Sequence, residues 1–125
     1  MTMHRVLVVD DYPDAARVIC GMLGHMGYES CAAMSGGEAI ALARSFEPAI
    51  ALVDLQLPDV DGYEVARQLR TLAPERIFIA AVTGHDGIAR AHPDVFDHHV
   101  VKPIDHGVLV RLVKLAETRL HGASN

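Results

Sequence analysis

Three short, uninterrupted apolar runs set the first limit on the fold: RVLVVD at residues 5–10, AIALVD at 49–54 and IFIAAVT at 77–83. Each is bounded by polar or turn-forming residues, the pattern of parallel strands covered on both faces at the centre of a sheet. Two further stretches, ESCAAM at 29–34 and HHVVK at 98–102, are more polar and suit edge strands. Between strands, apolar residues return at helical spacing: Ala15, Val18, Ile19, Met22, Leu23 and Met26; then Val65, Ala66, Leu69 and Leu72; then Val108, Leu109, Leu112, Ala116 and Leu120. Gly36 to Ser45 adds a small, Ala-rich helix. Strands alternating with helices, without a hairpin signal such as Asn-Gly, predict an α/β fold whose right-handed crossovers build a five-stranded parallel sheet.

Composition narrows what such a fold does here. With 125 residues, half of them hydrophobic, residues 1–125 are expected to form a single domain with its own core. A formal net charge of -5 argues against a nucleic-acid surface, which needs clustered Lys and Arg. Cys20 and Cys31 follow no CxxC or zinc-ligand spacing and read as free buried thiols suited to a reducing cytoplasm. No stretch has the length of a membrane span or the layout of a secretion signal, so a soluble, cytoplasmic protein without membrane or nucleic-acid contacts is expected.

In sheets of this kind ligands bind outside the carboxyl ends of the strands. Asp10 and Asp11 end the first predicted strand, Asp54 the third, Thr83 the fourth and Lys102 the fifth, which puts all five on one rim. Three acidic groups on one edge repel each other unless a cation sits among them, and Mg²⁺ suits oxygen ligands from carboxylates. Each residue also has a plainer reading. Asp10 and Asp11 are good helix caps ahead of Pro13. Asp54 suits a strand-end turn, Thr83 a loop hydrogen bond, and Lys102 an edge-strand charge.

Taken together, the acidic pair in VVDD, LVDLQLPDVDGYEV, AVTG and VVKP give the chain a resemblance to the receiver domains of two-component response regulators, over essentially its whole length. The resemblance implies a doubly wound, flavodoxin-like sheet with strand order 2-1-3-4-5. It implies that Asp54 is the phosphoacceptor, taking a phosphoryl group from a sensor histidine kinase or a histidine phosphotransfer protein, with an unknown downstream protein as target. Mg²⁺, with Mn²⁺ as the alternative ion, would be held by Asp11 directly, by Asp10 through water, by Asp54 and by the backbone carbonyl of Gln56. Lys102 and Thr83 would contact the phosphoryl oxygens, and Gly84 would leave room for them. His99 would be the side chain that follows Thr83 inward. Gln56 and His85 would flank the path of the hydrolytic water, and the Lys102-Pro103 bond would be cis.

Other readings fit the residues less well. An aspartyl-phosphate phosphatase carries a D-x-D motif, and none stands at the end of the first or third strand. A flavodoxin-like electron carrier needs a phosphate-binding loop, whereas DDYPD repels anions. A phosphorylation-independent docking module would lack one of the five rim residues. FDHHVVKPID resembles receivers joined to hybrid histidine kinases, which keeps a receiver within a larger regulator as the alternative. DVDG superficially matches a calcium loop, but Leu57 and Gln68 stand where carboxylates are required, and Gly62 is expected to turn the chain into the next helix. Of the eight histidines only His98 and His99 adjoin, and strand neighbours point to opposite faces, so no His-based metal site is expected. The segment GHDGIARAHPDVFDHHVV is shorter than its usual counterpart by about three residues, in a crossover that needs roughly ten or more. With Gly87 and Pro93 inside it and Val95 where a glycine is common, it predicts a short or irregular fourth helix at about Asp86 to His92, a nonstandard output face and no symmetric dimer through it.

Overall fold

A computed structural model describes residues 4–72, 77–84 and 95–122. Strands and helices alternate as β1 (Arg5–Val9), α1 (Pro13–His25), β2 (Glu29–Ala33), α2 (Gly36–Phe46), β3 (Ile50–Asp54), α3 (Gly62–Leu72), β4 (Phe78–Thr83), β5 (His98–Val101) and α4 (His106–Gly122). All strand pairs are parallel, in the order β2-β1-β3-β4-β5. The apolar β1, β3 and β4 therefore lie inside, and the more polar β2 and β5 form the edges. Val9 pairs with Ala33 and Val53, Asp54 with Val82, and Thr83 with Val101, which levels the carboxyl ends along one rim.

Successive strand residues point to opposite faces. Leu7, Val9, Val53 and Ile79 pack under α2 and α3, while Val6, Val8, Leu52 and Phe78 pack under α1 and α4. Helix starts follow local chemistry. Pro13 opens α1, where its missing N–H costs nothing. Ser35 caps α2 by accepting the Glu38 N–H at 3.2 Å, while the Glu38 carboxylate reaches back to the Met34 N–H at 2.6 Å.

Three expectations change. In α1 the sheet takes the row Ala16, Ile19, Leu23, and Val18 is 59% exposed. Ala15, Val18 and Met22 form the adjacent row, rotated by about 100° around the helix, and only one row can face the strands squarely. In α4 Val113 joins the buried face, with Val108 and Leu120 at its margins. Cys20, on α1, and Cys31, on the edge strand β2, are free but only partly buried. Burial nevertheless pushes the Cys31 thiol up to about 11, with the charges of Cys20, Glu29 and Glu38 adding to it. The shortened helix predicted at Asp86 to His92 falls outside the described residues, so neither it nor the output face it would form enters the fold described here.

One polar anchor was not foreseen. Arg70 of α3 donates to the Val95 carbonyl at 2.7 Å, the Ile77 carbonyl at 3.1 Å and the Asp97 carboxylate at 2.8 Å. Asp97 also exchanges bonds of 2.8 Å with Ile79, accepting its N–H at the side chain and donating its own N–H to its carbonyl. The guanidinium fork thus fixes how the chain enters β5 beside β4.

Candidate functional site

Three polar side chains are buried among the described residues, and all three stand at the carboxyl rim: Asp10 and Asp54, each 3% exposed, and Thr83 at 1%. Asp10 follows β1 and continues its ladder, its N–H donating to the Ala33 carbonyl at 3.0 Å. Its Oδ1 accepts the Tyr12 N–H at 2.9 Å, and Oδ1 of Asp54 accepts the Gln56 N–H at the same distance. These Asx turns bend the chain sharply away from each strand and hold the carboxylates in place. Asp11 is exposed beside them, and one oxygen from each of Asp10, Asp11 and Asp54 can be chosen so that all lie within 4.8 Å of one another.

Lys102 completes the rim from β5. Its N–H donates to the Thr83 carbonyl at 2.8 Å, the Lys102-Pro103 bond is cis, and Nζ lies 2.8 Å from Asp54 Oδ2 and 3.8 Å from Asp10 Oδ2. Burial raises the pKa of Asp10, and the charges of Asp54 and Asp11 add to it against the Tyr12 N–H bond and Lys102. Burial works to lower the pKa of Lys102, but the Asp54 hydrogen bond and the charges of Asp54, Asp10 and Asp11 outweigh it and raise it. Lys102 is thereby held as a cation facing three carboxyl groups. A donor set made only of oxygens, with more negative charge than one ammonium offsets, fits a hard divalent cation.

Gly84 is exposed, and among the described residues a Cβ there would meet nothing within 4 Å. His99 is half-buried opposite Ala81. Gln56 is exposed, with its N–H committed to Asp54; His85 falls outside the described residues. Gly62 is required for a reason other than turning: its φ is not positive, but a Cβ would run into the Asp54 carbonyl oxygen and come within 2.7 Å of Leu55 Cα. The start of α3 therefore lies directly against the end of β3.

Two features escaped the sequence reading. Asp59 accepts the N–H groups of Gly36 and Gly37, each at 2.9 Å, and those bonds lower its pKa. The loop after β3 is thereby tied to the start of α2. The other is an apolar groove of about 420 Å³ beside the carboxylates, lined by Asp10, Tyr12, Val18, Lys102, Pro103 and Ile104. Tyr12, at 61%, and Val18 are exposed. Val18 carried the available signal, being apolar but outside the row that packs on the sheet.

The family model for the response regulator receiver domain matches residues 6–114. The chain belongs to this receiver domain family. Among relatives, this receiver is 29% identical to protein PilH of Pseudomonas aeruginosa over 119 residues, 89% of this chain and 95% of PilH. It is 32% identical to the sensor histidine kinase AtsR of Burkholderia thailandensis over 123 residues, 89% of this chain but 20% of AtsR. The receiver spans less than half the length of several other relatives, including 49% of the DNA-binding response regulator MtrA of Mycolicibacterium smegmatis. Among solved structures, a CheY-like receiver from Methanospirillum hungatei superposes with a TM-score of 0.89 at 25% identity, covering 98% of this chain and 99% of that one. The response regulator TrrA of Thermotoga maritima, solved in complex with Mg²⁺-BeF, gives a TM-score of 0.81 at 29% identity over 91% of this chain and 99% of that one. The chain is therefore a signalling domain of two-component response regulators. Among the described residues, no helix is long and apolar enough to cross a membrane.

Proposed function

We propose that Asp54 accepts a phosphoryl group from the phosphohistidine of a sensor histidine kinase or histidine phosphotransfer protein, with residues 1–125 acting as one cytoplasmic receiver unit. The observation that carries this reading is the buried Asp54 carboxylate at the end of the central strand, with Lys102 Nζ at 2.8 Å and carboxylate oxygens of Asp10 and Asp11 within 4.8 Å. An Asp54 oxygen attacks phosphorus, the donor's N–P bond breaks, and the imidazole leaves with a proton. An acyl phosphate serves in the same way, its O–P bond breaking and the carboxylate leaving.

This transfer asks chiefly for positioning and charge stabilisation. Asp10, Asp11, Asp54 and the Gln56 carbonyl would hold Mg²⁺, or Mn²⁺ in its place, which supplies positive charge to offset repulsion between anionic nucleophile and anionic donor. Lys102 exchanges its Asp54 contact for phosphoryl oxygens, and the Thr83 hydroxyl donates beside it. Gly84 leaves the space. Gln56 and His85 tune water access, His99 follows Thr83 inward, and the receiver thereby assists its own phosphorylation and dephosphorylation. The groove between α1 and the segment after β5 offers an apolar seat for a helix of the phosphodonor, next to the nucleophile.

The same receiver within a hybrid kinase or larger regulator is the second reading, favoured by the match to AtsR, of which the chain spans a fifth. In either setting, output passes to a downstream protein or onward by phosphotransfer. Incubation with acetyl phosphate and Mg²⁺, followed by intact and peptide mass spectrometry, should find one phosphoryl group on Asp54. Asp54→Asn should abolish stable labelling while keeping the fold; undiminished labelling of a folded Asp54→Asn protein would refute the assignment.

A further inference from the structure

At the opposite end of β1 from the acidic rim, about 20 Å away at strand spacing, the fold gathers a second set of ligand-type side chains. His4 immediately precedes β1, and Glu117 and His121 lie four positions apart near the end of α4, on one helix face. His4 Nδ1 stands 2.6 Å from Glu117 Oε1, and His121 Nε2 stands 3.3 Å from the same oxygen. One donor atom from each of the three lies within 4.8 Å of the other two. The two imidazoles are neighbours, with ring centroids 5.4 Å apart and planes tilted by 56°.

Two observations point to a ligand beyond the cluster itself. His4 Nδ1 is buried and, among the described residues, forms no hydrogen bond, its one close polar neighbour being Glu117 Oε1 at 2.6 Å. A neutral imidazole lone pair facing a carboxylate oxygen at that distance is unfavourable unless a proton or a cation lies between them. Tyr28, just ahead of β2, donates its hydroxyl to the other Glu117 oxygen, Oε2, at 2.8 Å. Tyr28 thus orients the carboxylate with Oε1 toward the two imidazoles, the arrangement by which outer groups commonly orient a metal ligand.

We propose that His4, Glu117 and His121 form a binding site for a divalent transition-metal ion of the Zn²⁺ class, distinct from the all-oxygen cluster at the phosphoacceptor rim. Two imidazoles and a carboxylate are a donor set for zinc, nickel or copper and a poor one for Mg²⁺. A tetrahedral zinc with ligands at about 2.0–2.2 Å keeps neighbouring donor atoms roughly 3.3 Å apart, the spacing that His121 Nε2 and Glu117 Oε1 already have. Three protein ligands leave a fourth position for water or a group from a partner. An ion there ties the last turns of α4 to the start of β1. The sequence reading discounted a histidine site because only His98 and His99 adjoin; the fold pairs His4 with His121 instead.

The test is a ZnCl₂ titration of metal-stripped protein by calorimetry and by thermal melting, with MgCl₂ kept saturating to occupy the acidic rim. Wild type should bind one Zn²⁺ per chain and melt at a higher temperature with zinc than without. His121→Ala, at an exposed position, should fold normally, bind zinc at least tenfold more weakly and lose the thermal shift. Glu117→Gln should do likewise, and zinc should perturb the ring ¹⁵N signals of His4 and His121 in the wild type. No zinc-dependent rise in wild-type melting temperature, or equal zinc affinity in wild type and His121→Ala, would overturn the site. Zinc retained by both variants through Cys20 and Cys31 or the acidic rim counts as that second outcome.

Discussion

At the scale of single residues, the two buried carboxylates of the rim are each held by a backbone N–H that leaves one oxygen available. Asp10 and Asp54 each give Oδ1 to a backbone N–H and turn Oδ2 toward Lys102. Gly62 serves the same geometry with no side chain at all, by letting α3 start against the Asp54 carbonyl. Gly62→Ala should destabilise the fold by about 1–3 kcal/mol, since the obstacle is backbone and cannot rotate away. It should also slow labelling of Asp54 by acetyl phosphate. Gly84→Ala, where among the described residues a Cβ meets nothing within 4 Å, should leave stability within about 0.5 kcal/mol. Urea denaturation of the two variants checks the contrast, and equal effects would remove the steric explanation.

At the scale of elements, β5 is the weakest member of the sheet by sequence, a short and partly exposed edge strand. Its position depends on Arg70, which joins α3 to Ile77 before β4 and to Val95 and Asp97 before β5. β5 in turn carries His99 and leads directly into Lys102, so the anchor at one end of the strand supports the cation at the other. Arg70→Met keeps much of the aliphatic stem but removes the three donated bonds. A loss of about 2 kcal/mol is expected, as for hydrogen bonds to a charged group partly open to solvent. Chemical denaturation measures it, and an unchanged midpoint would mean that water replaces the guanidinium without cost.

At the scale of the whole molecule, the sheet directs three carboxyl groups and one ammonium to a single rim, leaving negative charge that the fold alone does not neutralise. A cation that binds the folded chain and not the unfolded one stabilises it by mass action. At about 100 times its dissociation constant, Mg²⁺ should add about 2.7 kcal/mol and raise the melting temperature by several degrees. Asp11→Ala should reduce this rise more than Asp10→Ala. Asp11 is exposed at the rim, whereas Asp10 is buried with one oxygen on the Tyr12 N–H and the other toward Lys102. Equal reductions in Mg²⁺-dependent melting would show that the two acids share the ion evenly.

The kinds and order of elements were legible in the sequence because strand and helix periodicities are local. Continuous apolar runs marked β1, β3 and β4, and their ends named Asp10, Asp54 and Thr83 before any tertiary contact was known. The strand order was legible through the family resemblance. Which of two adjacent apolar rows on α1 meets the sheet was not, because both rows satisfy the same period and only the docking angle separates them. The Asp59 cap on α2, the Arg70 anchor and the meeting of His4 with Glu117 and His121 lay equally beyond reach. Each joins residues far apart in the chain, and such contacts arise only when the β1 crossover, the sheet order and the return of α4 bring chain ends to the same place.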